Sequence, residues 1–351
     1  CFSDCAMKLK GYIYVLLPIG VLLMAFAQEL RHLHLPTHFP APQYDFADNP
    51  ANEEAFQLGR ALFYDPGLSA DNSISCASCH SPYHAFAHTD HDLSHGIHDS
   101  VGTRNAPALF NLAWQSSFMW DGAIQHLDMQ ALAPISHPGE MGSSLPKVIS
   151  YLQADTRYPV LFEAAFGDSV ISGEYVLKAL AQFQLGLISS NAKYDSVQRG
   201  ESNFTVQEQS GYLLFQQHCN VCHTEPLFMN NGFANNGLSL DSSLMDYGRI
   251  AISQQPEDSL QFKIPSLRNL RYTFPYMHDG RFRKLKQVVL HYANGEALKH
   301  PMEDRLLPEI QLSEREQVDI IAFLRTLNDQ SFVFNRDYHF PREFFLTNAR
   351  N

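Results

Sequence analysis

The sequence predicts a mainly α protein made of two related units joined by long ordered loops. Three observations carry this. First, a C-x-x-C-H pentad occurs twice, as Cys76-Ala77-Ser78-Cys79-His80 and Cys219-Asn220-Val221-Cys222-His223. Second, a G-x-x-L-F run precedes each pentad, Gly59 to Phe63 and Gly211 to Phe215, so one supersecondary unit is duplicated, with an insertion at 64–75 in the first copy. Third, apolar residues recur at helical spacing after each pentad. Val176, Leu177, Leu180, Phe183 and Leu187 mark a helix over 175–189 with Ser172 as its cap. Val318, Ile321, Phe323, Leu324 and Leu327 form the buried face of another, behind the capping box Ser313-Glu314-Arg315-Glu316. No alternating pattern of comparable strength marks a β-strand.

The elements follow in order. Lys8 and Lys10, an apolar run from Tyr12 to Phe26 and the small-residue site Ala25-Phe26-Ala27 have the layout of a secretory signal. The run is short for a spanning helix and is broken by Pro18 and Gly20, so cleavage is expected over an uncleaved anchor. Residues 1–29 are read as leader and signal peptide, with Cys1 and Cys5 in an upstream extension, and 30–56 as a Pro-rich arm. A helix starts at Gln57, and 57–195 forms the first domain. The polar stretch 191–201 reads as the linker, 196–330 as the second domain and 331–351 as an aromatic, basic tail packing back on the body.

At 351 residues and 45% hydrophobic content the chain is long enough for two packed domains. A net charge of −12 excludes a nucleic-acid binder, which needs a basic face for phosphate, and is compatible with a basic electron-donor protein. In C-x-x-C-H the two thiols add across the vinyl groups of a haem and the following histidine becomes the proximal iron ligand. The competing readings are a zinc half-site and a redox dithiol. A four-sulfur zinc site would leave His80 and His223 without a role. Two covalently bound c-type haems, on Cys76, Cys79, His80 and on Cys219, Cys222, His223, are therefore expected. The expected fold is mainly α: two cytochrome c-like haem domains with long ordered loops. Covalent haem attachment and the leader both point to the periplasm.

Several further runs, in order, carry a resemblance: Leu58 to Pro66, Arg104-Asn105-Ala106-Pro107, Trp120-Asp121-Gly122, Gly139-Glu140-Met141-Gly142 and Pro275 to Phe282. Over about residues 57–328 the chain resembles the bacterial dihaem cytochrome c peroxidase and MauG superfamily.

The resemblance implies a role for each matching residue. Glu140 matches the distal carboxylate of the first haem, and chemistry needs such a group to move a proton between peroxide oxygens. Gln130 matches a distal-pocket amide, its bland alternative being a surface helix residue. Trp120 matches the indole between the haems, while Trp114 reads as core. Tyr292 stands where typical peroxidases of the family place a Met ligand on the second haem. Its spacing with Leu285, Val288 and Val289 puts it on one helical stripe and turns His291 aside. A phenolate, being hard and anionic, stabilises the higher oxidation states of iron and is the MauG-like variant; Met277 is the competing ligand. Asn105, with the carbonyls of Thr273 and Pro275, matches a calcium site whose oxygen-only ligands suit that ion. His84, His88, His91, His95 and His98 crowd one loop, but the position matching the family's gating histidine is Ile97.

The leading expectation is thus a periplasmic enzyme reducing hydrogen peroxide to water with electrons from a cytochrome c or cupredoxin. The alternatives are a MauG-like oxidase acting on residues of a partner protein, and a non-catalytic dihaem carrier. The chain is compatible with a homodimer.

Overall fold

A computed structural model describes residues 33–293 and 310–346. The leader, Cys1 and Cys5 lie outside the described residues. Fourteen α-helices are present among them: α1 (Glu53–Tyr64), α2 (Cys76–Cys79), α3 (Leu127–Gln130), α4 (Leu132–Ser136), α5 (Leu145–Ala154), α6 (Arg157–Phe166), α7 (Gly173–Gly186), α8 (Lys193–Gln198), α9 (Val206–His218), α10 (Ile250–Ser253), α11 (Leu285–Tyr292), α12 (Glu314–Arg325), α13 (Gln330–Val333) and α14 (Arg342–Leu346). Two short antiparallel strands, β1 (Phe233–Ala234) and β2 (Phe262–Lys263), pair with Phe233 opposite Lys263 and Ala234 opposite Phe262.

The duplication seen in the sequence is physical. In the first unit α1 crosses α7 at Gly59, where a Cβ would fall 1.9 Å from the carbonyl oxygen of Ala179 and 3.0 Å from the Cβ of Phe183. In the second, α9 crosses α12 at Gly211, where a Cβ would fall 1.9 Å from the carbonyl oxygen of Asp319 and 2.9 Å from the Cβ of Phe323. The Phe four residues after each glycine packs on the same partner, Phe63 on Phe183 at 5.0 Å and Phe215 on Phe323 at 5.1 Å between ring centroids. Only a residue without a side chain allows two backbones this close, and the phenylalanines then fill the space beside the crossing. Each crossing lies in its own apolar core, one from Phe39 to Met229 with Phe332 and Val333, the other from Tyr194 to Leu327.

Four expectations need correction. Helix α1 begins at Glu53 rather than Gln57, because the Asn52 side chain accepts from the Ala55 N–H at 3.0 Å and caps it there. Ser172 caps α7 as expected, accepting from Tyr175 N–H at 3.1 Å, but the helix ends at Gly186, and Leu187 is buried as its C-cap. The stretch read as a polar linker contains α8, whose Tyr194 and Asp195 are buried. Asp195 is held by both nitrogens of the Arg268 fork, at 2.7 and 2.8 Å, with neither side chain exposed. On α12 the Ser313/Glu316 capping box forms, but Val318 points to solvent and Ile321 is half-buried. Ile320 takes the inward position together with Gln317 and Asp319, whose polar ends bond the Leu312 carbonyl and the Ser210 hydroxyl. The tail does fold back: Arg60 donates to the carbonyls of Arg336 and His339, and the Tyr64 hydroxyl to that of Tyr338.

Candidate functional site

Each pentad forms a single helical turn. His80 N–H donates to the Cys76 carbonyl and His223 N–H to that of Cys219, both at 2.9 Å. The turn gathers two thiols and an imidazole at one place. Each imidazole is then oriented by a backbone carbonyl some residues later: His80 Nδ1 donates to Phe86 O at 2.8 Å, and His223 Nδ1 lies 3.2 Å from Phe228 O and 3.1 Å from Pro265 O. Phe86 and Phe228 both adopt left-handed backbone, φ 60° and 56°, and so turn their carbonyls toward the ring. With Nδ1 carrying the proton, Nε2 keeps the lone pair a metal needs. Burial depresses both imidazoles to about 4, so they are neutral at physiological pH.

The two pentads open onto one continuous cavity of about 780 Å³ lined by Cys76, Cys79, His80, Cys219, Cys222 and His223. That is in the upper part of the roughly 300–1,000 Å³ range of small-molecule and cofactor sites. Burial pushes the Cys76 and Cys219 thiols up to about 12 and Cys79 to about 11, the reverse of the low-pKa thiolate of a redox dithiol. Among the described residues no three His, Cys, Asp or Glu side chains converge as metal ligands, so the two pairs do not form a four-sulfur zinc site. Thiol pairs on a cavity wall with a pre-oriented imidazole fit tethered porphyrins.

The other expected residues distribute as follows. Glu140, Gln130, Trp120, Asn105, Thr273, Pro275, Met277 and Tyr292 all line this cavity. Trp114 does not; it is buried core, and its Nε1 donates to Pro40 O at 2.7 Å. Trp120 bridges the units: its indole Nε1 donates to Asn105 O at 2.8 Å, and its own carbonyl accepts from Lys263 N–H on β2 at 2.7 Å. Burial raises the Glu140 carboxyl, with the nearby His137 pulling the other way at 3.8 Å. Its side chain keeps 40% of its surface. Gln130 is half-buried, and its amide reaches Met119 Sδ at 3.8 Å on the cavity wall.

Tyr292, Leu285, Val288 and Val289 of α11 face the cavity together, while His291 turns aside to Asn236 O at 2.8 Å. Burial pushes the Tyr292 phenol up to about 12, with Asn236 opposing. The Asn236 amide also donates to Met277 Sδ at 3.5 Å, so one amide serves both candidate ligands. Of the histidine loop, His95 lines the cavity, and His98 is exposed beside Asp71.

Sequence reasoning missed two supports. Ile97 N–H donates to Glu140 O at 2.8 Å, and a Cβ on Gly96 would fall 2.0 Å from Gly139 O, so the histidine loop clamps the Glu140 loop. Asn236 carried no motif and was invisible without the fold.

A sequence-family model for di-haem cytochrome c peroxidase matches residues 53–203. The chain is 37% identical to the methylamine utilization protein MauG of Methylorubrum extorquens, over 80% of this chain and 79% of that one. The chain belongs to the di-haem cytochrome c peroxidase and MauG family. It is also 34% identical to the cytochrome c peroxidase of Escherichia coli, over 80% of this chain and 59% of that protein. A solved MauG-like protein associated with microbial copper homeostasis superposes with a TM-score of 0.80 at 32% identity, covering 88% of this chain and 98% of that one. The family carries two c-type haems, which agrees with the paired pentads of this chain.

Proposed function

We propose that this family member is a dihaem enzyme that reduces hydrogen peroxide at the first haem and draws the electrons through the second. Glu140 carries the reading: it sits on the wall of a cavity that also holds His80 and Trp120. Bound haem iron supplies peroxide binding and one-electron chemistry. The chain supplies the rest. Glu140, as carboxylate, would take a proton from peroxide and return it to the departing oxygen, with the Gln130 amide able to offer a hydrogen bond beside it. The fixed Nδ1–H of His80 holds the imidazole basic on its other nitrogen. Trp120, hydrogen-bonded to one unit and joined to β2 of the other, lines the cavity both pentads open onto and would carry electrons between them. Steady-state reduction of peroxide by a reduced small redox protein, a cytochrome c or cupredoxin, tests this; absence of turnover in every redox state overturns it.

Tyr292 favours a second reading, a MauG-like oxidase whose electrons come from residues of a partner protein. Its phenol lies on the cavity wall with Cys219, Cys222 and His223, and as a ligand it would hold the second iron in high oxidation states. Persistence of the oxidised enzyme after peroxide addition, rather than rapid quenching by the small donor, selects this reading.

For calcium we propose Asn105 Oδ1 with the carbonyls of Thr273 and Pro275. Asn105 is buried, and its N–H, amide NH2 and carbonyl are committed to His278 O, Asp92 O and Trp120 Nε1. No donor among the described residues takes Oδ1. We also propose export to the periplasm, supported by the leader pattern and by the haem pentads; no described helix is long and apolar enough to cross a membrane.

A further inference from the structure

Three cations of the described chain lie on the cavity wall: Arg104, Lys263 and Arg268. Two are neutralised by the protein. Arg104 grips Asp246 at 2.6 and 2.9 Å and Asp121 at 2.6 Å. Arg268 grips Asp195 through both terminal nitrogens. Lys263 is different. Its Nζ donates to Gln115 Oε1 and, at 2.8 Å, to Ser117 O, and it lies 5.8 Å from the Phe118 ring centroid. Both acceptors are uncharged, and among the described residues no carboxylate comes within ion-pair distance.

An ammonium has three N–H donors, and the protein acceptors use two. Taking an unpaired ammonium out of water is costly, which is why buried charges in proteins are paired. Burial with no opposing anion depresses this lysine to about 7. Lys263 also lines the cavity wall, where an anion bound in the cavity would meet its ammonium.

Lys263 also stands at a junction. Its N–H donates to Trp120 O, and its side-chain partners Gln115 and Ser117 belong to the first unit. Two residues later comes Pro265, whose carbonyl orients His223 of the second unit. Tethered haem brings carboxylates of its own, the propionates. We propose that Lys263 is the counter-ion of a haem propionate at the junction of the two units, fixing that porphyrin edge beside Trp120. This rests on the two-haem reading. The propionate can come from either haem, and the measurement tells which.

The test uses holoenzyme. Haem content by pyridine haemochrome comes first, then the midpoint potential of each haem by spectroelectrochemistry, for wild type and K263M. A nearby cation favours the reduced, less positive iron, so K263M is expected to keep two haems and lower one potential. The expected size is about tenfold in the reduction equilibrium, ~59 mV for a one-electron couple. The haem that shifts owns the propionate. Two haems with both potentials unchanged overturn the ion pair alone, whereas wild type with fewer than two haems per chain overturns the two-haem reading and the ion pair together. If K263M does not accumulate as folded protein, K263R decides. It keeps the charge and alters the contact, so both potentials should hold while the propionate-bending Raman band moves; an unmoved band overturns the proposal.

Discussion

Gly211 meets the carbonyl of Asp319 so closely that a Cβ would stand 1.9 Å from its oxygen, the same distance at which Gly59 would meet Ala179. Two helix pairs, each setting a G-x-x-L-F helix against a phenylalanine of its partner, therefore cross by one geometry, and each crossing backs a pentad through a phenylalanine: Phe86 packs on Phe183 at 5.9 Å, and Phe228 on Phe323 at 6.2 Å. Gly211→Ala is expected to force α9 from α12 and destabilise the fold by about 1–3 kcal/mol or more, the usual cost of overpacking. Urea unfolding of the holoprotein, followed by the Soret band, should show a lower midpoint; an unchanged midpoint contradicts the crossing.

The Asp195–Arg268 pair lies wholly inside. Burial alone would raise the Asp195 carboxyl, but the Arg268 fork and the Ala192 N–H outweigh it and hold it below the usual carboxylate range. A depressed folded pKa means stability that is present above the unfolded value, about 3.9, and lost as pH falls through the folded one. Arg268→Met strands a buried carboxylate, at a cost on the order of 3–5 kcal/mol, and should move acid unfolding to higher pH. Circular dichroism against pH checks both.

Glu140→Gln should lower kcat/KM for peroxide by about 10²–10⁴ while haem content stays at two. Because burial raises this carboxyl, the acid limb of the wild-type rate profile should fall above the ordinary glutamate value of about 4.3. Below that limb Glu140 is protonated and cannot accept the peroxide proton. A variant that retained the limb would remove Glu140 from the mechanism.

Tyr292→Phe keeps the ring and deletes the phenol oxygen. The visible spectrum of the second haem should change, and its potential should rise by roughly 59 mV or more, since an anionic ligand is lost. If Met277 were the ligand, the spectrum would stay as it is and Met277→Leu would change it instead.

Trp120→Phe preserves an aromatic ring but loses the hydrogen bond to Asn105 O. Stopped-flow mixing of the half-reduced enzyme with peroxide should show slower oxidation of the second haem, with peroxide binding at the first haem unchanged. Equal rates would leave the indole a packing residue only.

Much of this was legible in the chain. The pentads are local: a single turn brings Cys76, Cys79 and His80 together, so adjacency in sequence is adjacency in space. Helix stripes such as Val176 to Phe183 and Leu285 to Tyr292 follow from a 3.6-residue period, and the motif residues Glu140, Trp120 and Asn105 line the same cavity as the pentads. Where periodicity was ambiguous it misled. Val318 and Ile320 are equally apolar, and only the approach of Gly211 to Asp319 decided which turned inward.

What the sequence determined by itself was therefore chemistry and local geometry: two haem-binding turns, their imidazoles, and the helices that shelter them. What only the tertiary structure decided was which distant groups meet. Asn236 reaching Tyr292 and Met277, Ile97 clamping Glu140, Arg268 closing on Asp195 and Lys263 meeting only uncharged acceptors among the described residues each join residues far apart in the chain or depend on a neighbour's charge. The energy of a buried polar group is set by its partner in space, and no period along the chain encodes that partner.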